Sequence, residues 1–87
     1  MKYRSRTDIV GLILEAANGG ATKTRIMYKA FLSYAQLKEY LTVLLQNEVL
    51  EYEEERQNFR TTEKGIRLLQ MYNQFDEMMR ITDINEK

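Results

Sequence analysis

The chain has no cysteine and no histidine. Together those absences remove disulfides, thiolate nucleophiles, Cys/His zinc sites and imidazole acid–base catalysis. There is no Gly-rich phosphate loop and no spaced cluster of carboxylates on one face, so no catalytic constellation can be named. Neither an enzyme, a metal nor another cofactor is therefore expected. No apolar run is long enough to span a bilayer, and Met1 to Arg6 are polar and basic rather than the opening of a signal peptide. The chain reads as soluble, unexported and cytoplasmic.

What is present is one small domain's worth of residues, 87, with a charge that is neutral only in sum. Thirteen Lys and Arg balance thirteen Asp and Glu. Residues 1–30 hold six basic side chains (Lys2, Arg4, Arg6, Lys23, Arg25, Lys29) and two acidic ones, net +4. Residues 31–60 are net −3 and residues 61–87 net −1, so the chain is polar end to end.

Apolar residues Ile9, Val10, Leu12, Ile13, Ala16 and Ala17 recur at helical spacing, with Ser5 or Thr7 available as N-cap and Asp8 in the first turn. Asn18-Gly19-Gly20 stops this first helix, because these residues accept the left-handed conformation that helix ends need. Thr22 caps a second helix over Lys23 to Ala30, with Lys23, Arg25 and Lys29 outside, and Phe31-Leu32 forms an apolar corner. Ser33 to Gln36 fits a capping box, opening a third helix that buries Leu37, Tyr40, Leu41, Leu44 and Leu45. Its opposite face carries Ala35, Gln36, Glu39, Thr42, Val43 and Gln46, with Lys38 flanking. Asn47 ends it. Val49 to Glu53 and Asn58 to Thr61 then read as a hairpin around Glu55-Arg56-Gln57-Asn58, with Phe59 inward. The last helix opens at Thr62-Glu63 and runs to about Ile84, roughly 33 Å.

Three helices followed by a β-hairpin, with an abrupt turn between helices 2 and 3, is the order of a winged helix-turn-helix. The segments "TKTRIMYKAFLSYAQLKEYLTVLLQNEVLEYEE" and "RTTEKGIRLLQMY" carry a more specific likeness. On them the chain resembles the archaeal winged-helix proteins that include predicted transcriptional regulators and the 10a chromatin proteins of Sulfolobus. The likeness covers nearly the whole chain, and Thr24 to Tyr28, Leu32 to Tyr34 and Thr62 to Gly65 are its most specific pieces. It implies a mainly α fold with a small hairpin, DNA binding without catalysis, a nucleoid-associated place in the cell, and a homodimer joined through a coiled coil of C-terminal helices. The expected division is a winged-helix domain over residues 1–62 and a dimerisation helix over 63–87.

For such a fold the groove-facing residues would be Ser33, Tyr34, Gln36, Lys38 and Thr42, and the phosphate-facing ones Thr22, Lys23, Thr24, Arg25 and Lys29. Each has an ordinary alternative. Gln36 can pair bidentately with adenine or cap its own helix. Arg25 and Lys29 can hold phosphate or form a solvated face, although residues 16–38 contain no acid at all. Tyr28 and Tyr34 read as partly buried packing residues rather than stacking platforms. Arg56 and Arg60 flank the wing tip, where they can reach DNA or pair with Glu53 to Glu55. Because Glu51, Glu53, Glu54 and Glu55 would repel phosphate, the hairpin is expected to turn its first strand away and present only Arg56 to Arg60. Glu39, near the middle of the third helix's outer face, points to binding that is weak or selective.

On the last helix Leu68, Tyr72, Phe75, Met79 and Thr82 recur at alternating four and three spacing, with Leu69, Met71 and Met78 beside them. Leu68 to Phe75 is expected to meet the chain's own core, leaving Met78, Met79, Ile81 and Ile84 to a partner. The seven residues Leu68, Met71, Tyr72, Phe75, Met78, Met79 and Thr82 make up the expected seam of a homodimer. A winged-helix module that binds proteins instead of DNA is the alternative, favoured by the neutral charge and acidic hairpin.

Overall fold

The structure is a computed structural model that describes the backbone of residues 5–86 and the side chains of residues 5–79. Helix α1 (Arg6–Ala16), α2 (Lys23–Ala30) and α3 (Tyr34–Gln46) precede a hairpin of β1 (Leu50–Glu53) and β2 (Asn58–Thr61), and α4 (Glu63–Glu86) follows it.

Local chemistry sets the first three helix starts. Ser5 and Ser33 each accept from the backbone N–H three residues on, while Asp8 and Gln36 reach back to the N–H of the serine, two capping boxes that satisfy donors a helix start leaves bare. Thr22 accepts from Arg25 N–H in the same way at α2. After α1 the chain reverses through Gly19 and Gly20, both at positive φ. Three later reversals use side chains that disfavour that region: Phe31 at φ 55 closes α2, Glu48 at φ 61 follows α3 and Gln57 at φ 51 lies in the hairpin turn. Two further bonds fix the end of α3, from Glu48 N–H to the Leu45 carbonyl and from Val49 N–H to that of Leu44.

The strands pair antiparallel with Leu50 opposite Thr61, Glu51 opposite Arg60, Tyr52 opposite Phe59 and Glu53 opposite Asn58. Alternation then separates two faces. Leu50, Tyr52, Phe59 and Thr61 share one, where the Tyr52 and Phe59 rings lie 4.9 Å apart; Glu51, Glu53, Asn58 and Arg60 share the other. A single bridge, with two 2.8 Å bonds between Ala21 and Phe59, pins the hairpin to the α1–α2 turn.

One core joins these pieces: Ile13, Leu14 and Ala17 of α1 and its end, Ile26 and Ala30 of α2, Leu37, Leu41 and Leu44 of α3, then Val49, Leu50 and Leu69. Thr61, a buried polar residue, donates to the Leu14 carbonyl at 2.7 Å, so its burial costs no unpaired hydroxyl. Helix α4 crosses the hairpin at Gly65, where a Cβ would overlap the Val49 carbonyl oxygen and stand 2.6 Å from Thr61 Cγ2. Two bonds fasten its start to the end of α3: Thr62 Oγ1 donates to the Glu48 carbonyl at 2.7 Å and Lys64 Nζ to that of Asn47 at 3.0 Å. Lys64 thus also places a cation at the negative end of the α3 dipole.

Candidate nucleic-acid interface

The short helix α2 displays its cations on two flanks. Ile26 and Ala30 are buried, and the one-turn spacing leaves Thr22, Lys23, Thr24, Arg25 and Lys29 exposed. Lys23 leans toward α3: its ammonium donates to Tyr34 Oη at 3.5 Å and lies 4.9 Å from that ring's centroid, within reach of its negative π face. Arg25 and Lys29 instead line an open groove with Leu12, Glu15, Ala16, Asn18 and Gly20, so a carboxylate of α1 shares that groove with both.

Helix α3 buries Leu37, Leu41 and Leu44 and turns Ala35, Glu39 and Gln46 directly outward. Tyr34, Lys38 and Thr42 run along one flank. Gln36 and Val43 lie on the other and share an open groove with Arg6 and Val10 of α1. The carboxamide oxygen of Gln36 accepts from Ser33 N–H at 3.0 Å, so of its two uses capping is the one observed, and its amino group remains as a donor. Thr42 Oγ1 donates to the Lys38 carbonyl at 3.0 Å, which leaves its oxygen as an acceptor.

The packing role expected for two tyrosines is overturned. Tyr28 is exposed and Tyr34 more than half so. The reason is phase: Ile26, Ala30 and Leu37 already fill the space between α2 and α3, and both tyrosines fall on the outer side of that seam. The corner residues also divide, with Leu32 buried and Phe31 exposed.

The hairpin departs from expectation as well. Its first strand does not turn its acids away from Arg60, because the register sets Glu51 directly opposite Arg60 on the same face. Glu53, diagonal to it, forms an ion pair with Arg60 Nε at 3.5 Å. Diagonal neighbours on a strand pair are within reach of long side chains, so the pairing follows from register alone. Arg56 stands exposed at the turn, between Glu55 and a left-handed Gln57.

On α4, Gly65, Leu69 and Tyr72 face the domain. Tyr72, expected in the dimer seam, packs its ring on Gly11 of α1 and donates to Asp8 Oδ1 at 2.8 Å. Nor does Leu68 to Phe75 fill the core: Met71 is 63% and Phe75 61% exposed. Leu68, Met71, Phe75, Met78 and Met79 fall within an arc of about 100° next to the domain-facing side, all exposed. Thr82, Ile81 and Ile84 lie outside the residues whose side chains are described. Among the described residues no helix is long and apolar enough to cross a membrane.

The sequence pattern of the winged helix-turn-helix family matches residues 3–80. No curated protein matches the chain. Among solved structures, the fold is similar to that of Sso10a-2, a DNA-binding protein from Sulfolobus solfataricus, with a TM-score of 0.86. That likeness spans 95% of this chain and 90% of the other at 24% sequence identity.

Proposed function

The chain belongs to the winged helix-turn-helix family, and from that premise we propose that it binds duplex DNA as a homodimer, as a transcriptional regulator or an architectural protein of the nucleoid. The observation that carries this reading is the surface of α2 and the start of α3, where Lys23, Arg25, Lys29 and Lys38 are exposed and no acid occurs from Ala16 to Lys38. Cations of this kind hold phosphates and set register, while the exposed face of a helix reads base edges. In this proposal Thr22, Lys23, Thr24, Arg25 and Lys29 hold the backbone, as does Arg56 at the wing. Ser33, Tyr34, Lys38 and Thr42 reach the major groove from one flank of α3, and the amino group of Gln36 from the other. Arg60 is left to its ion pair with Glu53. The similar Sulfolobus protein is a DNA-binding protein, which supports the same reading. Glu39 on the outer face of α3 and the acids of the hairpin reduce affinity for arbitrary sequence, which favours a selective binder over a coating protein.

The deciding experiment is fluorescence anisotropy of a labelled duplex of about 25 base pairs, titrated at several salt concentrations. Counterion release gives a log–log slope of about −0.9 for each phosphate contacted. The expected result is micromolar binding at low salt with a steep negative slope; no binding at low salt would sink the DNA reading.

Dimerisation draws its support from the apolar strip on α4. Exposed Leu68, Met71, Phe75, Met78 and Met79 give a contiguous face, whereas solitary apolar side chains on a surface mean little. Sedimentation of the purified protein is expected to give about twice the chain mass of 10.4 kDa. Phe75→Asp, which sets a charge in the middle of the strip, should return it to the monomer mass without loss of helicity. A wild-type monomer at tens of micromolar would refute the dimer.

A further inference from the structure

Two aromatic side chains at the α2–α3 corner have no part in the duplex reading. Tyr28 is 81% and Phe31 76% exposed. Phe31 moreover holds φ 55 and ψ 50, a left-handed conformation that a Cβ disfavours and that glycine usually supplies at a helix end. The corner is fixed from both sides: Phe31 N–H donates to the Tyr28 carbonyl, Leu32 N–H to that of Met27 at 3.1 Å, and Leu32 is anchored in the core. A large ring is thus presented on a backbone held by two hydrogen bonds and an anchored neighbour, and strain of this sort is a pointer to use.

The surroundings identify the ligand. Residues three and four apart on a helix are neighbours, so Tyr28 stands beside Thr24 and Arg25. The whole segment 16–38 offers four cations and no acid. Flat apolar faces set among cations complement flat faces strung on an anionic backbone. A duplex keeps its base faces stacked on one another, so it offers these rings little; an unpaired strand offers every base.

We propose that Tyr28 and Phe31 form a stacking platform for unpaired bases, so that the protein also binds single-stranded nucleic acid, with Arg25 and Lys29 holding its phosphates. The site shares those two cations with the duplex reading and is otherwise separate from it. The test is anisotropy of labelled oligo-dT and oligo-rU of about 15 nucleotides, alongside the duplex, a length suited to one small binding site. Wild-type protein is expected to bind at least one single strand, and the preferred one tells DNA from RNA. The double variant Tyr28→Ala/Phe31→Ala should lose about a hundredfold on the strand, about tenfold per ring, and less than twofold on the duplex. Tyr28→Phe, which keeps the ring, should bind the strand like wild type. Duplex binding with no binding to either strand would overturn the platform and leave the duplex reading standing. So would a double variant that retains its single-strand affinity, or one that weakens on strand and duplex alike.

Discussion

Gly65→Ala is expected to lower the stability of the fold by about 3 kcal/mol or more, the upper end of what overpacking costs. The added methyl would enter the Val49 carbonyl oxygen and come within 2.6 Å of Thr61 Cγ2 and 3.1 Å of the Val49 carbonyl carbon. None of these can step aside cheaply. The Val49 carbonyl accepts from Thr62 N–H at 3.1 Å, and Thr61 is held by its bond to Leu14. Relief therefore means lifting α4 off the hairpin, which also loosens Leu69 and Tyr72. Alanine's better helix propensity returns about 1 kcal/mol and does not offset this. For a domain of this size the melting temperature should fall by about 12 °C or more. Gly11→Ala is the internal contrast: its methyl would meet the Tyr72 ring at 2.8 Å, the movable end of a side chain, so the loss is smaller. A melting temperature for Gly65→Ala equal to wild type would mean that α4 does not cross the hairpin as described.

Charge reversal on α2 should have the largest effect on binding. Arg25→Glu with Lys29→Glu is expected to weaken duplex affinity by about a hundredfold or more at low salt, because two attractions to phosphate become two repulsions. The salt slope should shrink by about 1.8, two lost contacts at about 0.9 each. Both side chains share a groove with Glu15, so the reversal also crowds three carboxylates together. Arg25→Gln with Lys29→Gln removes the contacts without that repulsion; it should give the same change in slope with a smaller loss of affinity and an unchanged circular dichroism spectrum. Affinity equal to wild type in both variants would remove α2 from the interface.

How far the chain could be read beforehand depended on the range of the forces involved. The caps at Thr22 and Ser33 are bonds across three residues, so spelling them out in sequence is enough, whereas at α1 the sequence offered Ser5 or Thr7 and the folded chain uses Ser5. The α3 stripe follows from period alone, with Leu37, Leu41 and Leu44 buried and Tyr40 and Leu45 only half-buried at its edges, as does the inward, half-buried Phe59. The seam of α4 did not. A heptad pattern groups Leu68, Tyr72 and Phe75, but Tyr72 was claimed by the gap over Gly11, a contact across 61 positions that no local spacing encodes. The exposure of Tyr28 and Phe31 was missed for a related reason: residue type suggests packing, while helix phase and a left-handed corner decide otherwise. The sequence left Arg60 between DNA and the acids Glu53 to Glu55; strand register, known only from the folded hairpin, brought it to Glu53.

Thr62 and Lys64 bond to the carbonyls of Glu48 and Asn47, the two residues that follow α3, and Thr62 alone separates β2 from α4. There is no swivel at that joint. Two copies joined through α4 would behave as a calliper with welded arms, the opening set by helix geometry rather than by a tether. Such a pair accepts sites that recur on the same side of the double helix and rejects those shifted by half a turn, about five base pairs. Placing flexible residues between Thr61 and Thr62 would convert the calliper into a chain, indifferent to the phase of its two sites.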